Sequence, residues 1–452
     1  VKELHFHFDQ ALLAEGWAED VTLTVRDGIV AAISHDLAPG PAEHVAIGLP
    51  GLPNLHSHAF QRGMAGFAEV RGPASDSFWT WRETMYRFVD RLTPDDLAAI
   101  AALAYVEMLE TGFTRVGEFH YLHHDRDGTA FADPAEMSLA IFAAAAETGI
   151  ALTHLPVFYA QSGFGGAAPG SAQRRFIHDI DGFGRLVDGA RRAATTLPDA
   201  VVGLAPHSLR AVTPESLHEV IGLAGGDPVH IHIAEQEKEV ADCIAWSGMR
   251  PVEWLLRHAP VDARWCLVHA THMTERETTD MAVSGAAAGL CPITEANLGD
   301  GLFPAGAFLA AGGRFGIGSD SNVLIDASEE LRLLEYGQRL HHRGRNLLAN
   351  APGVSTGDHL FRAALSGGGQ ALGAPAEIAV DAAADFVALD AGHPSLLRRK
   401  GALLLDAFLF SGGRAAIDGV WRRGEKLVSG GRHRGRGPIV DRYRRVLHKL
   451  LA

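Results

Sequence analysis

Hydrophobic and polar positions along this chain change their period twice. Residues 1–48 alternate in β fashion, and VTLTVRDGIVAAI reads as two short strands joined by an Arg-Asp-Gly turn. The same pattern returns from about Ile378, where ADFVALD, DAFLFSG and DGVWRRGEKLVSGG read as further strands with glycine turns. Residues 1–48 and 378–452 are therefore expected to pair into one small β-sandwich domain. Between them, over 49–377, apolar strand-like runs alternate with helical stretches, the pattern of an α/β protein built on a parallel (β/α)₈ TIM-like barrel. Candidate strands end at His58, Glu118, Phe158, His207, Ala234, His269, Pro292 and Asp320. TPDDLAAIAALAYVEMLETG opens with a Thr cap and an acidic first turn and stops at Gly112, and DPAEMSLAIFAAAAETG repeats that form after Asp133. SGGGQ at 366–370 reads as a short loop.

Length fits this division, since 452 residues exceed the roughly 250 that a barrel takes. Composition narrows the partners. A net charge of −14 gives no concentrated basic footprint for nucleic acid, and the arginine-rich stretch Arg432–Arg445 reads as a solvated face. No apolar run is long enough to span a bilayer and the N-terminus lacks an apolar signal core, so no membrane association and a cytoplasmic location are expected. Three separated cysteines form neither a disulfide framework nor a zinc knuckle.

Histidine is the residue type in excess. At 24 per chain, roughly one H-x-H should arise by accident, so position must separate the three present: His5/His7, His56/His58 and His230/His232. Residues two apart on a strand share a face, so His56 and His58 can both project into the barrel from the end of its first strand. His5 and His7 lie in the appended domain and read as a surface or packing pair. His232 is nearer the C-terminal mouth, where barrel sites are built, than His230, which is expected to pack below. Asp320, ending the eighth strand, offers a carboxylate oxygen. His56, His58, His232 and Asp320 thus make a candidate set of zinc ligands with a position open for water. His269 ends the sixth strand and is placed beside the metal as a hydrogen-bonding group. Glu235, three residues after His232, is a candidate general acid and base, whereas Glu237 and Glu239 read as helix-surface charges.

Taken in order, H-S-H, H-I-A-E, H-A-T-H and G-S-D-S resemble the amidohydrolase superfamily over nearly the whole chain. The longer strings HSHAFQRGMAG, APHSLRAV, HIHIAEQEKEV and EANLGDGLFP are similar to the formimidoylglutamate deiminases within it, with Ile293 where a small or hydroxyl residue is expected. The resemblance implies hydrolysis of N-formimidoyl-L-glutamate to N-formyl-L-glutamate and ammonia, in histidine breakdown. It implies one Zn²⁺ per subunit, although the same ligands would accept Fe²⁺. It further implies that Gln61, Arg82, Tyr121, His207 and Arg210 hold a dicarboxylate substrate, that Glu235, His269 and Asp320 are catalytic, and that the protein is a homodimer. Two-metal members bridge their ions with a lysine of strand four, but no lysine occurs between Lys2 and Lys238; Glu118 is the remaining candidate bridge. Other readings are a nucleobase or adenosine-thioether deaminase of the same barrel, and a noncatalytic barrel scaffold.

Overall fold

Four strands open the chain: β1 (Glu3–Leu13), β2 (Gly16–Arg26), β3 (Ile29–His35) and β4 (Glu43–Pro50). The computed structural model describes residues 2–35, 42–71 and 76–452; positions 1 and 36–41, counted above with the N-terminal β segment, lie outside them. β2 turns into β3 through Asp27 and Gly28, both with positive φ (49° and 86°), the backbone a two-residue hairpin needs.

The barrel follows as β5 (Leu52–Ser57), β6 (Phe113–His120), β7 (Ala151–Phe158), the split pair β8 (Val201–Val202) and β9 (Ala205–Pro206), β10 (Val229–Ile233), β11 (Trp265–His269), β12 (Ala287–Leu290) and β13 (Arg314–Ile317). All pairings are parallel, in the order β10-β11-β12-β13-β5-β6-β7-β8, with β9 also on β7. The ring closes where β8 and β9 meet β10: the N–H groups of His230 and His232 donate to the carbonyls of Leu204 and His207 at 3.0 and 3.1 Å. This is the expected (β/α)₈ architecture.

β14 (Phe386–Leu389), β15 (Ile417–Arg422), β16 (Glu425–Ser429) and β17 (Arg432–His433) then join the first strands in one sheet of order β17-β16-β15-β14-β4-β1-β2-β3. Phe6, Phe8, Leu23, Phe386 and Trp421 form its separate core.

Helix starts follow the capping signals. Thr93 caps Pro94–Glu110, accepting from the Asp96 N–H, and Gly149 ends Glu136–Thr148 in the left-handed region. Two expectations fail. DAFLFSG is not a strand: helix Ala402–Ala407 runs into a π-turn at Phe408–Gly412. Leu404, Leu405, Phe408 and Leu409 are buried at helical spacing, while Phe410 turns away to stack on Tyr336. SGGGQ is not a loop but lies inside helix Thr356–Ala371. A Cβ at Gly367 would collide with the Phe315 carbonyl, and one at Gly368 would come to 2.6 Å from Pro53, so the glycines let this helix press against barrel strands. Its end plugs the floor of the barrel: the Ala371 carbonyl accepts from His230 Nε2 (2.7 Å) and the Leu372 carbonyl from Thr153 (3.0 Å). His230 thus packs below, as expected.

Among the C-terminal arginines, Arg432, Arg434, Arg444 and Arg445 are exposed, as expected of a solvated face, while Arg436 and Arg442 are half-buried. Helix Arg436–Leu451 pairs Arg436 with Glu110, Arg442 with Glu147 and Lys449 with Asp96, fastening the end of the chain to the outer helices.

Candidate metal centre

The mouth of the barrel brings together four side chains from its first, fifth and eighth strands. One donor atom each from His56, His58, His232 and Asp320 lies within 4.8 Å of the others, and all four residues are buried. His56 Nε2 is 3.0 Å from His232 Nε2 and 3.4 Å from Asp320 Oδ1, which is 3.3 Å from His58 Nε2. Donors about 2.0–2.1 Å from one tetrahedral cation stand roughly 3.3 Å apart, so the spacing fits a single divalent ion.

Ring orientation supports the same reading. His58 Nδ1 donates to the Phe119 carbonyl (2.8 Å) and His232 Nδ1 to the His207 carbonyl (3.1 Å), so each Nε2 turns its lone pair inward. Converging lone pairs and a carboxylate oxygen repel one another unless a cation lies between them. Burial holds all three rings neutral, lowering His56 to about 3 and His58 and His232 below the ordinary histidine value. Neutral imidazole is the form that binds a metal. Burial works to raise Asp320, but its hydrogen bond to His56 and the neighbouring rings hold it below the usual carboxylate range.

A polar lattice fixes this geometry. Asp320 N–H donates to the His56 carbonyl (3.0 Å) and His58 N–H to the Asp320 carbonyl (2.9 Å), locking the first strand to the last. Behind them the Asn322 amide donates to Ser57 Oγ, the His58 carbonyl and the Asp320 carbonyl, each at 3.1 Å, and Ser319 Oγ donates to Asn322 Oδ1 (2.6 Å). Ala234, His269, Ala270, Asp320 and Asn322 all have positive φ (44–68°), at a cost on the order of 1 kcal/mol each that these bonds offset.

Beside the four donors, His269 and Glu235 face each other, Nε2 to Oε1 at 3.8 Å. Burial raises Glu235 to about 7, against the pull of His269 and Arg210. Burial alone would discharge His269, yet Glu235, Glu295 and Asp320 outweigh it and raise the ring to about 10. Glu295 accepts from His269 Nδ1 (3.2 Å) and from the Cys291 N–H (3.0 Å), so it orients the imidazole. Glu239 is not the surface charge expected: it is buried and accepts the N–H groups of Ala234 and Glu235, both at 3.2 Å, holding the turn that presents Glu235. Glu237 is exposed, as expected. Glu118 is no bridging ligand, because its oxygens accept from the Ala59 N–H (2.7 Å) and the Tyr105 hydroxyl (3.1 Å).

Gln61, Arg82, Tyr121, His207 and Arg210 all line one cavity with His58, His232, Glu235, His269 and Asp320. Gln61 donates to the Tyr121 hydroxyl (2.9 Å), which leaves its buried Oε1 unpartnered. Arg210 is buried and stays charged: burial works to lower it, but Glu239, Tyr159 and Glu235 hold it up. Arg82 lies over Trp79 and Tyr86 at 4.8 and 5.5 Å, so it both packs on aromatic rings and faces the cavity. Phe78, Trp81, Arg82, Met85 and Tyr86, on helix Phe78–Val89, form the roof over a space of about 50 Å³.

Every candidate site residue thus meets at one mouth. Asn54, whose amide donates to Ser319 Oγ (2.6 Å), Ser319 itself and Asn322, and the supporting Glu239 and Glu295, escaped the sequence reading. Their signals were present as an asparagine inside the apolar run GLPNLH, the N after G-S-D-S, and the acids of HIAEQEKE and TEAN.

Comparison with known proteins agrees with this geometry. Residues 47–427 match the model of the Amidohydrolase family, and residues 5–46 that of the Formimidoylglutamate deiminase HutF, N-terminal domain. The chain is 52% identical over 447 residues to the formimidoylglutamate deiminase of Pseudomonas aeruginosa, covering 98% of each. A 5-methylthioadenosine/S-adenosylhomocysteine deaminase of Natronomonas pharaonis is 29% identical over 83% of this chain and 81% of its own. The crystal structure of an amidohydrolase from Brucella melitensis superposes with a TM-score of 0.97 at 56% identity, over 99% of this chain and 100% of that one.

Proposed function

We propose, from the premise that the chain belongs to the amidohydrolase family and within it to the formimidoylglutamate deiminases, that it hydrolyses N-formimidoyl-L-glutamate to N-formyl-L-glutamate and ammonia. The reaction belongs to histidine breakdown, for which a cytoplasmic homodimer is the assembly we propose. The observation that carries the reading is one cavity lined both by His58, His232 and Asp320 of the four-donor cluster and by two cationic side chains, Arg82 and Arg210. A protein of net charge −14 repels a dicarboxylate at long range, so recognition falls to such local donors.

Zinc is the ion proposed for the four donors, where it supplies the Lewis acidity that activates water near neutral pH. The chain's own groups do the rest. Glu235, raised to about 7, takes a proton from the attacking water and returns it to the departing nitrogen, so that ammonia leaves rather than an amide anion. Asp320, an ionised carboxylate, shares in accepting the water protons. His269, held positive by its acidic neighbours, faces the carbon under attack and steadies the charge that develops there. Gln61, Tyr121, His207, Arg82 and Arg210 bind the glutamate end. A cavity of about 50 Å³ is far below the roughly 300–1,000 Å³ of pockets that enclose a ligand, so the cavity widens when substrate enters.

The test is ammonia release by the purified zinc-loaded protein from N-formimidoyl-L-glutamate, beside 5-methylthioadenosine, S-adenosylhomocysteine and 8-oxoguanine. Turnover confined to the first supports the reading. Turnover confined to a purine substrate replaces it, and zinc-loaded protein that releases ammonia from none revives a noncatalytic barrel.

A further inference from the structure

Cys291 follows β12 and lies inside the barrel, fully buried against Leu55 and Val268. Its sulfur does not face apolar groups alone. Cys291 Sγ, a ring nitrogen of His269 and a carboxylate oxygen of Asp320 lie within 4.8 Å of one another. Asp320 presents its two oxygens to different sides: Oδ1 faces His56 and His58, while Oδ2 faces His269 Nε2 at 3.8 Å. Glu295 occupies His269 Nδ1, which leaves Nε2 to face this second space.

We propose that Cys291, His269 and Asp320 form a second cation site, next to the first and sharing Asp320 as a bridge. Its ligand is a thiolate-seeking divalent ion, cadmium or zinc in excess. The inference rests on the first site holding its own ion. A sulfur, a nitrogen and an oxygen suit zinc-like and softer cations and discriminate against magnesium and calcium, which take oxygen donors. Bond lengths of about 2.3 Å to sulfur and 2.0–2.1 Å to nitrogen and oxygen set donor spacings of roughly 3.3–3.6 Å, so the side chains draw in around the ion from spacings that reach at most 4.8 Å. The surroundings favour positive charge. The carboxyl groups of Glu235, Glu295 and Asp320 lie 3.8, 3.2 and 3.8 Å from the His269 ring, and this gathering of acids attracts a divalent ion. On binding, the S–H bond of Cys291 and the Nε2–H bond of the protonated His269 break, a metal–sulfur and a metal–nitrogen bond form, and both protons pass to buffer, with no change of oxidation state. A cation there captures His269 Nε2, the atom that faces the reacting carbon, so the site is inhibitory.

The experiment starts from protein carrying one equivalent of zinc and adds cadmium stepwise. After desalting, elemental analysis reads both metals, and ultraviolet absorption reads the thiolate-to-cadmium charge-transfer band. One further equivalent of cadmium with zinc retained, growth of the band, and a loss of ammonia release of at least about tenfold are expected. Cys291→Ala should keep its zinc and its basal turnover and show neither the band nor the inhibition. Cys291→Ser, closer in volume, should lose the band too and serves if the alanine variant melts early by circular dichroism. The proposal fails if cadmium only displaces zinc, if none is taken up, or if band and inhibition survive in both variants through Cys243 or Cys266. Protein that retains zinc but takes no cadmium overturns this site alone; protein that never holds zinc overturns the first site as well.

Discussion

Two groups of histidines, all buried except the half-buried His124, lie close together in this molecule, and they differ in what they can do. At the barrel mouth the rings of His56, His58 and His232 stand 4.7–5.3 Å apart between centroids. Around the ends of β6 and β7, His120, His123, His154, His178 and His124 form a string with contacts of 4.5–5.6 Å. Ring proximity is the same; convergence is not. In the string each anchored nitrogen serves a separate local partner, His123 the Val157 carbonyl, His154 Ser138 and His124 the Ile177 carbonyl. Among the described residues, both groups of three or more converging donors include Asp320. A carboxylate on which the other donors converge separates a site from a packed cluster.

The comparison can be broken most sharply at Glu235. Glu235→Gln should lower kcat by about 10² or more while zinc content by elemental analysis stays at one equivalent; near-normal turnover would remove Glu235 from the chemistry. Arg210→Met comes next, raising KM for the dicarboxylate by about tenfold or more through loss of a charge-assisted hydrogen bond, with a smaller change in kcat. An unchanged KM would refute the clamp. Stripping the metal with a chelator should lower stability by about 3 kcal/mol when free zinc had stood at 100 times its Kd, read as a shift in urea midpoint. The smallest effect is reserved for the second group. His154→Phe should leave zinc content and kcat within about twofold of the parent, since its ring serves only Ser138.

Acid should sharpen the same contrast. Burial depresses His120 and His178 to about 3 in the folded chain, below their ordinary 6.5. The unfolded chain therefore binds more protons in that window, so the contribution of these rings is full above pH 6.5 and is lost as pH falls toward 3. His154, also depressed by burial, belongs to the same set. Urea midpoints measured from pH 8 to pH 4 should fall for the parent and fall less steeply for His154→Phe; parallel slopes would show that the string does not titrate on unfolding.

The barrel and its metal donors were legible because each rests on a local rule. Strand ends expected at Phe158 and His269 match β7 and β11, and H-x-H at a strand end places two rings on one face whatever surrounds them. Asp320, by contrast, gained its meaning only from the histidines that share its rim of the barrel. What was not legible depends on distant partners. Glu239 looks like any helix acid until the turn at Ala234 folds back over it, and SGGGQ reads as a loop until the floor of the barrel requires a helix without side chains there. DAFLFSG misled because its alternation of phenylalanines mimics a strand, while Leu409 and the preceding Leu404 and Leu405 set a helical face.

The appended sheet has a consequence for how the chain is made. β4 runs between β1, which precedes it in the chain, and β14, which pairs with it antiparallel from Phe386–Pro50 to Leu389–Ile47. A ribosome-bound chain that has completed the whole barrel still exposes one side of β4 as an open edge, able to template pairing with another copy. Nascent chains stalled before β14 should accordingly be far more prone to aggregate than those stalled just after β15.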